Sequence, residues 1–262
     1  MKRAIVLSAC ALAAPVAFGQ AVLTSDQRGL VIEAAGVVQT KLPAPAFSAF
    51  IGDIQKDVPQ GGGNAKARAT QTSSVSGAAL SASGLATAES NAGPSNCLLA
   101  QSTSDFRVTF KVNGPVQYDA SGSVEGAQYR LADPISGAIN IVIADMGDPK
   151  PFTFSTVLRP GRNYTVLAQS SQLANSCNGS SASISGIYSL NATFTALPAC
   201  PADLNYDRLV DDADFSIFAV AYDQLLCPTP PIPCDADLNS DGFVDDADFS
   251  IFAVAYDQLL CP

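Results

Sequence analysis

The chain has 262 residues, 24 acidic and 14 basic side chains, a formal net charge of −10, and neither histidine nor tryptophan. Without histidine, Ser-His-Asp and Cys-His machinery and histidine-held metals are excluded. No basic cluster suggests nucleic acid as a partner.

The N-terminus reads MKRAIVLSACALAAPVAFGQA, with Lys2 and Arg3 as a positive n-region and Ala17-Phe18-Gly19 as small residues suited to cleavage. The apolar run of about 15 residues falls short of the roughly 20 needed to span a bilayer. Residues 1–20 are therefore expected to be a secretory signal peptide, which implies a secreted, extracellular or cell-surface protein. No later segment is long and apolar enough to cross a membrane.

Residues 22–199 are rich in Gly, Ser, Ala, Thr and Val. DFRVTFKV (105–112) alternates apolar and polar residues, and so do stretches at 137–145, 151–158, 163–170 and 186–197. Turn signals such as Asn113-Gly114-Pro115 and Gly147-Asp148-Pro149 separate these runs. Short period-two runs between turns predict an antiparallel β-sandwich, jelly-roll or Ig-like, in a chain that is mainly β. Residues 61–96 read either as a flexible linker or as small-residue strands; the weak alternation of Ala69, Gln71, Ser73 and Val75 favours edge strands.

Residues 1–199 carry 13 basic and 11 acidic side chains, a net of +2, whereas 200–262 carry 13 aspartates against Arg208, a net of −12. This acidic part is a repeat. CPADLNYDRLVDDADFSIFAVAYDQLLCP (200–228) returns as CDADLNSDGFVDDADFSIFAVAYDQLLCP (234–262), joined by TPPIP. Calcium takes six to eight oxygens, which carboxylates spaced two apart on a tight loop supply. Positions 1, 3 and 5 are Asp203, Asn205 and Asp207, then Asp237, Asn239 and Asp241. Position 7 offers the carbonyls of Leu209 and Phe243, position 9 is Asp211 and Asp245, and position 12 is Asp214 and Asp248. Two calcium ions are expected. Position 6 needs a positive φ and is Gly242 in the second loop but Arg208 in the first, so the first site is expected to be the weaker. In each DFSIFAVAYDQLL that follows, Phe215, Phe218, Tyr222 and Leu225–Leu226, and their counterparts Phe249, Phe252, Tyr256 and Leu259–Leu260, predict a helix whose stripe is core.

A loop D-x-N-x-D-x-x-V-D-x-x-D followed by a single helix, doubled over some 60 residues and flanked by cysteines, resembles a dockerin of a cysteine-framed, type I-like subtype. The resemblance covers 200–262. It implies two calcium-bound loop–helix units about a pseudo-twofold axis with antiparallel helices, docking to a cohesin-like protein or surface scaffold. Loop positions 10 and 11, which would touch that partner, are Asp212-Ala213 and Asp246-Ala247 where the family commonly has small hydroxyl residues. The near-identical repeats suggest that a partner could be gripped in either of two orientations.

Six cysteines remain after Cys10 leaves with the signal, an even number that reads as three disulfides in an exported chain. Cys97 and Cys177 are expected to staple the sandwich. On the antiparallel arrangement that the resemblance implies, a 13-residue helix carries its end about 20 Å from its own loop. The expected pairs are then Cys200–Cys261 and Cys227–Cys234.

For the sandwich the reading is a non-catalytic passenger. The alternatives are a polysaccharide-degrading glycoside hydrolase component, with a carboxylate pair drawn from Asp105, Asp119, Glu125, Asp133, Asp145 and Asp148, or a carbohydrate-binding module. Tyr118, Tyr129, Tyr164 and Tyr188 are the tyrosines available for a sugar-stacking platform.

Overall fold

A computed structural model describes residues 21–133, 135, 137–198, 200–225, 234–239 and 241–258. The proposed signal segment lies outside these residues. The chain is mainly antiparallel β, with two short helices near its C-terminal end. The first strands are β1 (Ala21–Asp26), β2 (Gly29–Ala34), β3 (Val37–Lys41), β4 (Phe50–Gln60), β5 (Gly63–Val75), β6 (Ala79–Asn91) and β7 (Cys97–Val112). There follow β8 (Val116–Glu125), β9 (Ala127–Asp133), β10 (Gly137–Ala144), β11 (Lys150–Leu158), β12 (Asn163–Cys177) and β13 (Ser181–Ala196). The helices are α1 (Asp212–Gln224) and α2 (Asp246–Gln258).

The strands form two sheets. One has the order β10-β9-β12-β7-β2-β3, with β1 also paired to β7; the other has the order β11-β8-β13-β6-β5-β4. The pairing is nested: β6 with β13, β7 with β12, β8 with β11, and β9 with β10. Successive pairs alternate between the sheets, so an eight-strand ribbon folds over the larger of two core clusters between them. That core is built from inward positions on both sheets. Phe106, Val108 and Phe110 of β7 meet Tyr118 of β8 and Tyr188 and Phe194 of β13. The rings of Phe110 and Phe194 touch edge-on, with centroids 4.7 Å apart. Each such ring removed from water contributes about 1.5–3 kcal/mol.

Residues 61–96 correct the sequence reading. They supply β5 and β6, which lie inside their sheet with β4 at its edge. Their inward residues Ala65, Ala67, Ala69, Ala86 and Ala88 are buried although small. Small side chains here let the sheets approach closely. A β-carbon at Gly84 would collide with Ser104 and Tyr188, whose hydroxyls lie 3.0 Å apart. The strands at 163–170 and 186–197 also run further than their apolar alternation, because β12 pairs with β7 as far as Cys177 opposite Cys97. Those two cysteines are disulfide-bonded, as expected.

A buried ion pair closes the gap between β1 and β2. Arg28 meets Asp26 through Nη2–Oδ2 at 2.7 Å and Nε–Oδ1 at 2.8 Å, and also donates to the Ser48 carbonyl and the Ser73 hydroxyl. The chain's own groups satisfy both charges.

Candidate functional site

The two acidic loops repeat one set of hydrogen bonds. In the first, Oδ1 of Asp214 accepts the backbone N–H groups of Leu204 and Asn205 at 2.7 and 2.9 Å, while Oδ2 accepts that of Asp211 at 3.0 Å. Asp203 accepts the N–H groups of Asp207 and Arg208, Asn205 that of Asp207, and Asp207 that of Leu209. In the second, Asp248 accepts from Leu238, Asn239 and Asp245, and Asp237 accepts from Asp241 and Gly242. Asn239 accepts from Asp241, and Asp241 from Phe243. Arg208 and Gly242 have φ of 73° and 94°, so position 6 is left-handed in both loops.

Each helix starts on an acidic cap. The Asp211 side chain accepts the Ala213 N–H, and with Asp214 it completes a capping box. Asp245 accepts the Ala247 N–H in the same way. Asp214 thus both caps its helix and reaches back into the loop. Carboxylates at a helix N-terminus are also favoured by the helix dipole.

Asp203, Asp207 and Asp214 bring carboxylate oxygens within 4.8 Å of one another. Asp203, Asp214 and Asp248 are buried. Burial, then the charge of Asp214, push the Asp203 carboxyl above its ordinary range, against backbone hydrogen bonds that lower it. Arg208 is the sole cationic side chain in residues 200–262. Buried like charges are costly unless paired or bound to a metal. An all-oxygen donor set of this kind fits a hard divalent cation such as calcium. Asp203, Asp207 and Asp214 would be ligands in the first loop, and Asp237, Asp241 and Asp248 occupy the matching positions in the second.

The helices run antiparallel. The Tyr222 hydroxyl near the end of α1 donates to Oδ1 of Asp246 at the start of α2, and Tyr256 donates to Oδ1 of Asp212, each at 2.5 Å. Asp212 and Asp246, read from the sequence as partner contacts, therefore also clasp the helix pair. Sequence reasoning missed these bonds, although two identical helices about a twofold axis must make every contact twice. Phe218 stacks on Phe252 with centroids 5.1 Å apart, over Val210, Val244, Leu204, Ala202 and Ala236.

Tyr222 and Tyr256 pack against this core as expected, but the other residues of the expected stripe depart from the sequence reading. Phe215 and Phe249 are each 45% exposed, and Leu225 is also exposed. A helix packed against a single neighbour buries one line of side chains, and Phe218 and Phe252 occupy it. Leu226, Leu259 and Leu260 lie outside the described residues. Ile217, Val220, Ile251 and Val254 are exposed as well. With Ala213 and Ala247 they form an i, i+4, i+7 stripe on each helix. Cys200 and Cys234 are each disulfide-bonded; the partners expected for them, Cys261 and Cys227, lie outside the described residues.

The sandwich candidates are scattered. Asp119 accepts the Ser155 hydroxyl at 2.6 Å and Glu125 accepts the Gly147 N–H. Asp133 is buried and paired with Arg162 at 2.9 Å, while Asp148 lies 3.6 Å from Lys150. Burial pushes Asp105 up, opposed by the charge of Arg107. A cavity of about 460 Å³ is lined by Asp145, and one of about 480 Å³ by Asp119, each as its single carboxylate. Neither assembles the carboxylate pair that glycoside hydrolysis uses. Tyr118, Tyr129, Tyr164 and Tyr188 are all buried, so none offers a ring to a sugar at the surface.

No protein-family model matches the chain, and no curated protein is similar to it. Among solved structures there is a likeness to the GH31 alpha-xylosidase of Xanthomonas citri, at 8% identity and a TM-score of 0.21 over 71% of this chain. The chain spans 33% of that enzyme's chain. A likeness at this score says nothing of fold or activity.

Proposed function

We propose that this is an exported protein whose residues 200–262 form a dockerin-like, calcium-ordered module that docks to a cohesin-like protein or surface scaffold. Residues 22–199 are its passenger, a β-sandwich without catalytic function. The observation that carries this reading is the pair of buried position-12 carboxylates. Asp214 and Asp248 each receive three backbone N–H groups, and in the first loop Asp203 and Asp207 bring further carboxylate oxygens within 4.8 Å of Asp214. Binding calcium there orders the loops and, through the caps, the two helices. The nested strand pairing supports a jelly roll over an Ig-like sandwich.

The docking face is the exposed stripe Ala213, Ile217 and Val220 with its twin Ala247, Ile251 and Val254, headed by Asp212 and Asp246. The twofold clasp makes the stripes equivalent, which favours two binding orientations. The test is capture of purified cohesin-like domains and scaffold proteins from the host surface by the immobilised mature chain, in calcium and in EDTA. Capture is expected only in calcium and should vanish in the Asp214→Ala, Asp248→Ala double variant. Ile217→Asp or Ile251→Asp alone should weaken it, and both together abolish it. Capture that persists in EDTA would sink the proposal.

A further inference from the structure

The repeats are identical over 211–228 and 245–262, and in the eleven residues before they differ at four positions: Pro201 against Asp235, Tyr206 against Ser240, Arg208 against Gly242, and Leu209 against Phe243. Three residues at these positions gather at the end of the sandwich. The guanidinium of Arg159 lies over the Tyr206 ring, 5.0 Å from its centroid. Asp235 sits beside Tyr206, in the fields of Arg159 and Arg162. Arg208 and Tyr206 line a small pocket of about 20 Å³ against Pro115, Val157 and Leu197.

The sandwich presents Arg159 ready-made. It stands on the turn after β11, where the Tyr164 hydroxyl accepts its backbone N–H at 2.8 Å and donates to its carbonyl at 3.3 Å. Arg162, on the same turn, is held by buried Asp133. The first loop needs such support. Tyr206 and Arg208 have φ of 65° and 73°, left-handed values that a non-glycine residue adopts at a cost.

We infer that this junction is a calcium-dependent latch, in which the Arg159 turn is an intramolecular docking site for the first loop through Tyr206, with Asp235 ahead of the second loop at its edge. The inference rests on the calcium reading above. The clamp on Tyr206 and a cation among Asp203, Asp207 and Asp214 each hold the loop in the same conformation. Each therefore strengthens the other by the same factor. With calcium bound, the passenger is fixed relative to the docking helices; under chelation it is released. The second loop is tied to the sandwich through Asp235, which lies ahead of it, and is coupled to the latch less strongly.

The chain has no tryptophan and Tyr206 stands at position 4 of the first loop, where the second has Ser240. Because Tyr222 touches Asp246 and Tyr256 touches Asp212, both loops have a sensitising tyrosine; the part of the terbium emission lost in an Asp214→Asn variant reports the first loop. The full mature chain and its Arg159→Ala variant are titrated with terbium, and separately with calcium by calorimetry; small-angle scattering follows compaction. Arg159→Ala should weaken the first loop roughly three- to thirty-fold, the range of a cation–π contact, affect the second less, and abolish calcium-driven compaction. Tyr206→Ser, read by calorimetry, should do the same without altering the sandwich. Unchanged first-loop affinity in both variants, or equal weakening of both loops, would overturn the latch while leaving the calcium reading intact. A wild-type chain that takes neither ion would overturn that reading, and the latch with it.

Discussion

The sandwich and the C-terminal repeats bury opposite kinds of residue. The sandwich closes over Phe106, Phe110, Tyr118 and Tyr188, and its buried Asp26 has Arg28 beside it. The repeats close over Phe218 and Phe252 but also bury Asp203, Asp214 and Asp248, with Arg208 as the lone cation in the segment. The first fold is complete in its own side chains. The second is a segment of some 60 residues, a size at which a single apolar core rarely suffices and metals or disulfides are the usual supplement. On the calcium proposal, this contrast places the ligand requirement in one part of the chain.

Calcium removal should have the largest effect. In EDTA the mature chain should lose the circular-dichroism signal of α1 and α2 while the β signal stays. Thermal unfolding should then show the module transition gone and the sandwich transition lowered only by what the Arg159–Tyr206 contact contributes, about 0.5–2 kcal/mol. A common shift of both transitions would contradict two separately held regions. Arg28→Met reverses the target. It leaves Asp26 buried and uncompensated, which should cost the sandwich about 3–5 kcal/mol in denaturant unfolding, with calcium affinity unchanged.

A smaller effect is expected within the repeats. Arg208→Gly relieves the left-handed strain at position 6 and should tighten the first site by about 1 kcal/mol, roughly fivefold, in a calcium titration. The equivalent position in the second loop, Gly242, already has this relief, so that site sets the reference.

Acidity should separate Asp26 from Asp203 by sign. Burial raises Asp26, but hydrogen bonds from Arg28 and from the Phe47 N–H outweigh it and hold the folded value below 3.8. Its stabilisation is present above 3.8 and is lost as pH falls through the lowered folded value. Asp203 is raised, so in EDTA its penalty is absent below 3.8 and develops as pH rises through the raised folded value. Without calcium, acidification from neutrality toward pH 4 should therefore favour the module slightly, and the sandwich too through half-buried Asp105, whose carboxyl is raised; only below 3.8 should loss of the Asp26 contribution weaken the sandwich. Unfolding curves across this range, read separately for helix and strand, check both signs.

Legibility followed side-chain size and sequence distance. β7 could be read from DFRVTFKV because large apolar residues alternate with polar ones. β5 and β6 were obscured because Ala65, Ala67, Ala69 and Ala86 carry too little apolar surface to mark a face. Their burial depends on Gly84 and the close approach of Ser104 and Tyr188, which is tertiary information. In the acidic loops the proposed ligand positions could be written from spacing alone, and the hydrogen bonds observed within each loop lie within about twelve residues. The clasps of Tyr222 on Asp246 and Tyr256 on Asp212, and the clamp of Arg159 on Tyr206, span 24, 44 and 47 residues, beyond the reach of a local pattern.

The central claim is that the repeats are completed by calcium. The most direct test is calorimetric titration of the EDTA-stripped, dialysed mature chain with calcium, alongside the Asp214→Asn, Asp248→Asn double variant. Two ions per chain are predicted, the first loop the weaker, with helix signal regained as they bind and no uptake by the variant. No uptake by the wild-type chain at millimolar calcium, or undiminished uptake by the variant, would contradict the account.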